Sequence, residues 1–260
     1  MSTLSPILLG TFASLCAGLA TVLGALPTLV VRSVPERAQD VMLGFAAGVM
    51  LAAAFFSLIL PGLDAAQSSG ASAAFAVTIV GTGVLLGAWS LSMVHRYAPH
   101  EHFIAGREGP SATTLRRVWL FVIAITLHNF PEGLSVGVGF GGGDVDRGTA
   151  LAFGIGLQNV PEGLAVALAL ARLDYARWQI FALTAATGLV EPIGGLLGIA
   201  AVSASEALLP WGLAFAAGAM IFVISDEVIP ETHRRGAQGY GTAGLMVGLV
   251  VMMFLDVVFT

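Results

Sequence analysis

The sequence predicts an all-α integral membrane protein of eight spans, and three observations carry that expectation. First, 57% of its 260 residues are apolar and only 10% are charged, outside the range of soluble domains. Second, successive apolar runs exceed the roughly 18 residues that cross a bilayer core of about 30 Å, without the strict alternation of barrel strands. Third, Phe45-Ala46-Ala47-Gly48-Val49-Met50-Leu51 in span 2 returns as Phe215-Ala216-Ala217-Gly218-Ala219-Met220-Ile221 in span 7, and each copy runs on to a proline, Pro61 or Pro230. Spans 2 and 7 cross in opposite directions. The arrangement expected is therefore an inverted repeat, spans 1–3 against spans 6–8, around a central pair, spans 4 and 5.

The spans are expected at 5–31, 41–62, 73–94, 117–140, 149–171, 177–202, 208–230 and 240–259, within a single transmembrane domain covering 1–260. No basic residue precedes the first apolar run and the run continues to Val31, so it reads as a span rather than a cleaved signal. Cys16 lies inside it, alone, and is expected to be a small buried hydrophobe with no disulfide partner. Aligning the prolines that close spans 2 and 7 sets Ser57 opposite Asp226, one toward each side of the membrane. The connection 95–116 is the long one. It holds His95, Arg96, His100, Glu101, His102, Arg107, Glu108 and Arg116, with Pro99 and Pro110 as breakers, and reads as a polar loop.

Orientation follows from the arginines, since the chain has no lysine. Ten of them fall in the loops after spans 1, 3, 5 and 7, and only Arg147 falls on the other side. Basic loops face the cytoplasm, which puts both termini outside and the 95–116 loop in the cytoplasm. The formal charge of -5 is spread over short loops with no basic run, so nucleic acid is not an expected partner.

Spans 4 and 5 carry a second repeat. His128-Asn129-Phe130-Pro131-Glu132-Gly133-Leu134-Ser135-Val136 returns thirty residues later as Gln158-Asn159-Val160-Pro161-Glu162-Gly163-Leu164-Ala165-Val166. In each copy a polar residue and a glutamate stand at i and i+4, one turn apart on one helix face. Arg117 to His128 and Arg147 to Gln158 are equal steps of eleven residues, about 16 Å of helix, on spans running in opposite directions. Both motifs thus meet near mid-membrane. Glu191, followed by Pro192, reaches the same level in span 6.

An intramembrane carboxylate costs roughly 2.5 to 3.5 kcal/mol even on the lenient insertion scale. Three of them with no intramembrane lysine or arginine require a compensating cation. His128, Glu132, Gln158, Glu162 and Glu191 form a nitrogen and oxygen donor set without thiolate, which suits Zn²⁺, Fe²⁺, Mn²⁺ or Co²⁺ and exchanges its ion more readily than a structural cysteine site. Prolines 131, 161 and 192 add backbone carbonyls freed from helical bonding. Polar glue between helices or a proton relay is the competing reading of the same groups. An intramembrane metal-dependent hydrolase would want H-E-x-x-H, and a serine hydrolase G-x-S-G; neither string occurs. A proton-coupled carrier of other cations explains the carboxylates but not the histidine and repeated amides.

The paired motif, the Glu-Pro of span 6, the eight spans and the histidine-bearing loop after span 3 resemble the ZIP (Zrt/Irt-like) family of divalent-metal transporters, most closely its bacterial GufA-like branch. That resemblance implies no enzyme and no cofactor, but import of Zn²⁺, and also of Cd²⁺, Fe²⁺, Mn²⁺ or Co²⁺, across the plasma (inner) membrane. It implies one metal site of His128, Glu132, Gln158, Glu162 and Glu191. Asn129 and Asn159 would complete a second, with the three glutamates bridging; some relatives have aspartate where this chain has Asn159. Met50, Ser57 and Asp64 match pathway positions on the outer side, and Asp226, Glu227 and His233 on the cytoplasmic side. The expected partners are divalent metal ions and the lipid bilayer, with a homodimer left open.

Overall fold

A computed structural model describes residues 6–30, 34–97, 114–171, 173, 175–233 and 238–259. Among the described residues there is no strand, and eight helices are long and apolar enough to cross a membrane: Pro6–Leu29, Glu36–Ser68, Ala73–Val94, Phe121–Gly141, Val145–Ala171, Arg177–Ala204, Glu206–Asp226 and Gly239–Val258. They are called spans 1 to 8 below. Most of the 95–116 loop, with His100, Glu101 and His102, lies outside the described residues.

Three departures from regular helix matter for function. Span 2 is longer than expected: a π-helical stretch, Ala53–Ile59, leads into a further α-helix, Leu60–Ser68, with Pro61 in its first turn. Span 7 repeats the device with π-helical Ile224–Val228 just before Pro230. A proline cannot donate to the carbonyl four residues back, here that of Ser57 or Asp226, and a widened turn absorbs the loss without ending the helix. Span 6 is broken. It is α-helical over Arg177–Gly188, turns at Leu189–Val190, and restarts at Glu191 with Pro192 in the first turn. Pro192 therefore begins a helix, where its missing N–H is harmless, and Glu191 sits at a helix N-terminus, where a carboxylate is favoured.

Packing follows the inverted repeat. The closest partners are span 2 with 8, 3 with 7, 4 with 6, and 1 with 5. Exchanging span 1 for 6, 2 for 7, 3 for 8 and 4 for 5 maps this pattern onto itself. The pairs assort into two blocks, spans 1, 4, 5 and 6, and spans 2, 3, 7 and 8. Within each block glycines bring backbone against backbone. A Cβ on Gly44 would overlap the carbonyl of Gly241, and one on Gly248 that of Phe45; Gly87 and Gly218 join spans 3 and 7 in the same way. Such close approach is how helices associate in lipid, where burying apolar surface gains nothing. Between the blocks glycines meet only side chains: Gly154 faces Met252, and Gly212 faces Val138.

Cys16 corrects one expectation. It is exposed on the outer surface of span 1, where lipid would lie, and is free.

Candidate metal centre

The block of spans 1, 4, 5 and 6 has an apolar layer at each end. One contains Ala25, Val122, Val166, Leu170 and Ile180; the other contains Ala17, Val136, Phe140, Ile155 and Ile199. Between them lies a polar layer. His128, Asn129, Glu132, Gln158, Asn159, Glu162 and Glu191 are all buried, none more than 3% exposed. The motif helices run unbroken through Pro131 and Pro161, so the i and i+4 residues of each copy share one face as the spacing required.

Glycines set how closely these faces approach. A Cβ on Gly133 would overlap the carbonyl of Glu191, and one on Gly163 the carbonyl of Thr21. Each motif glutamate is therefore followed by the glycine that draws its helix onto span 6 or span 1. The carboxylates of Glu132, Glu162 and Glu191 lie within electrostatic reach of one another.

The amides knit the layer together. Gln158 Nε2 donates to Glu132 Oε1. Asn159 Nδ2 donates to Glu191 Oε1 at 2.7 Å and to the Ala17 carbonyl at 2.8 Å. Asn129 Nδ2 donates to the Thr187 carbonyl, also at 2.8 Å. Each carboxylate that faces an amide thus has one oxygen satisfied, while the other and the amide oxygens are left over. Among the described residues, five amide and carboxylate oxygens of this layer have no hydrogen-bond donor: Asn129 Oδ1, Glu132 Oε2, Gln158 Oε1, Asn159 Oδ1 and Glu191 Oε2. Buried acceptors are nearly always satisfied in folded proteins, so a group of this kind within one layer is able to receive a cation or ordered water. Among the described residues, no group of three or more His, Cys, Asp and Glu side chains is drawn together at metal-ligating distance. Adjacent groups are instead carboxylate–amide pairs.

The pathway residues are placed as follows. Met50 is fully buried in the core of the second block. Ser57 lies in the π-helical stretch of span 2, buried, and donates to Asp256 Oδ1 at 2.5 Å. Asp64 is exposed and borders a cavity of about 220 Å³ shared with Ser68, Gly142, Asp144 and Arg147, where Arg147 pairs with Asp144 at 3.5 Å. Asp226 is half-buried in the π-helical stretch of span 7. The side chains of Glu227 and His233 lie outside the described residues.

Two residues were missed by the sequence reading. Asp256 is one. It could have been found by the rule applied to the glutamates, since it is the lone carboxylate inside the last apolar run. Thr21 is the other, and only the repeat reveals it.

The chain is similar to known proteins over nearly its whole length. The model of the family described as ZIP Zinc transporter matches residues 95–256. The chain is 47% identical to the zinc transporter GufA of Myxococcus xanthus over 247 residues, which cover 95% of this chain and 97% of the relative. It is 49% identical to the zinc transporter ZIPB of Bordetella bronchiseptica over 91% of this chain and 77% of that protein. With human zinc transporter ZIP11 it shares 34% identity over 98% of both.

Proposed function

Because the chain belongs to the ZIP zinc transporter family, a multi-pass membrane transport family rather than an enzyme family, we propose that it imports Zn²⁺ and related divalent metals across the plasma (inner) membrane, with its termini outside. Cd²⁺, Fe²⁺, Mn²⁺ and Co²⁺ are cargo that the same donors accept. The observation that supports this best is the layer of five unsatisfied buried oxygens between two apolar layers. His128, Glu132, Gln158, Glu162 and Glu191 hold one ion. Asn129 and Asn159 extend the site toward a second ion over the same glutamates, and Asn159, being neutral, makes that second position the weaker one.

The amides have two ends, and both are used. The NH₂ groups of Gln158 and Asn159 donate to carboxylate oxygens; a bound cation takes over that role and recruits the amide oxygens as ligands. On the outer side Asp64, Ser57 and Asp256 form the approach, passing Met50, and on the cytoplasmic side Asp226, Glu227 and His233 receive the ion. The two-block packing supports movement of spans 1, 4, 5 and 6 as one body against the rest. Uptake of Zn²⁺ into proteoliposomes carrying an internal zinc dye tests the reading, with Glu162→Gln as the comparison. Equal uptake by the two proteins would refute it.

A further inference from the structure

The inverted repeat assigns Glu191 a counterpart that carries no charge. An offset of 170 residues relates Phe45 to Phe215 and Gly48 to Gly218, and the same offset relates Ala17 to Thr187, Gly18 to Gly188 and Thr21 to Glu191. The contacts obey it. Asn159 donates to the carbonyl of Ala17 and Asn129 to that of Thr187. Gly163 lies against the carbonyl of Thr21 and Gly133 against that of Glu191. Gly18 and Gly188 face each other's carbonyls, and the flanking side chains cross over them: a Cβ on Gly18 would stand 3.4 Å from Glu191 Cβ, and one on Gly188 would stand 2.9 Å from Thr21 Oγ1. Thr21 and Glu191 therefore hold symmetric positions at the crossing of spans 1 and 6, which borders the polar layer.

The Thr21 hydroxyl is buried, 1% exposed, and has no hydrogen-bond partner. Among the described residues Thr78, Thr126 and Thr149 bond to the carbonyl four residues back, whereas Thr11 and Thr184, like Thr21, do not. For Thr21 that carbonyl belongs to Ala17, and it already accepts the amide of Asn159. The usual local partner is engaged by the neighbouring motif, and the hydroxyl is left to serve the layer.

We infer that Thr21 is a positioning residue for the cargo ion: its hydroxyl accepts a hydrogen bond from a water bound to the metal. The threonine side chain is shorter than glutamate, so one water spans the difference. The ion thereby keeps one ligand that it can shed, as a transported ion must. This inference rests on the metal-binding reading above.

The test is Zn²⁺ titration calorimetry on the purified full-length chain in nanodiscs, with Co²⁺ absorption as a second readout. Thr21→Val keeps the shape and removes the hydroxyl. It is expected to weaken Zn²⁺ binding about tenfold, as loss of a hydrogen bond from a metal-polarised water should, and to shift the Co²⁺ ligand-field bands. Thr21→Ser should restore wild-type binding and the wild-type spectrum. A residue that only packs span 1 on span 6 would leave the spectrum unmoved. Wild-type affinity and spectrum in Thr21→Val, alongside lost binding in Glu162→Gln, would overturn the role of Thr21 and leave the metal site standing. Undiminished binding in Glu162→Gln would remove the metal site, and this inference with it. Should the valine variant not fold, Thr21→Ala supplies the same comparison.

Discussion

Gly18 and Gly188 each present a carbonyl to the position where the other would carry a Cβ. Alanine at either position must push spans 1 and 6 apart where both flank the polar layer. Gly188→Ala is expected to destabilise the fold by about 1–3 kcal/mol, the usual scale for overpacking. Gly239→Ala, at a helical position with open space around it, should not destabilise. Thermal unfolding in detergent separates the two.

Proton competition gives the second test. Carboxylate and imidazole lone pairs that hold a metal are the ones that hold a proton, so binding must release whatever protons the empty site retains. Zn²⁺ affinity is therefore expected to fall as pH falls. Glu162→Gln should lower both affinity and the number of protons released, while Gln158→Ala should lower affinity alone, since an amide does not titrate in this range. Calorimetry in buffers of different ionisation enthalpy measures the protons. Binding without proton release near pH 6 would refute the linkage.

Asn159→Asp restores a charge to the second position. We expect it to strengthen binding of a second ion and raise the metal-to-protein ratio toward two, read by elemental analysis of the loaded protein. A ratio unchanged from the wild type would show that the amide is not what weakens that position.

The Ser57–Asp256 hydrogen bond joins span 2 to span 8 inside the second block. Ser57→Ala and Asp256→Asn should each slow uptake at limiting Zn²⁺. In the double variant the effects should fall short of additivity by about 0.5–3 kcal/mol, as for residues in direct contact. Full additivity would mean that the two act separately.

Asp226 lies at the matching place in span 7. Asp226→Ala is expected to slow release to the cytoplasm and leave equilibrium metal content unchanged. A drop in bound metal would place Asp226 in the central site.

The parts of this architecture legible in the sequence were those written in pattern. Apolar run length marked eight spans, and two internal repeats marked the inverted symmetry and the polar layer, while the pairing of spans is seen only in the structure. What escaped has physical causes. Cys16 faces outward because the small residues Gly10, Ser14, Ala17, Gly18, Thr21 and Gly24 form the inward face of span 1, and the expectation of burial followed cysteine's general preference instead of that stripe. The π-helical stretches leave no residue-type signal beyond the proline that follows each. The break at Leu189–Val190 was hidden because Pro192 suits a helix start as well as a kink. Thr21 reads as an ordinary threonine until the carbonyl four residues back is found engaged by Asn159.

The contrast between glycine contacts within blocks and between them bears on kinetics. Inside each block neighbouring backbones are locked at contact distance, whereas Gly154 and Gly212 meet side chains alone, the flexible Met252 with Val49, and the methyls of Val138. Displacing one block along the other would break a sum of dispersion contacts of about 0.1–0.2 kcal/mol each. Such a surface has no preferred stopping point of its own. Turnover should accordingly respond to side-chain volume at Val138 and Met252, and to bilayer viscosity, more steeply than equilibrium stability does.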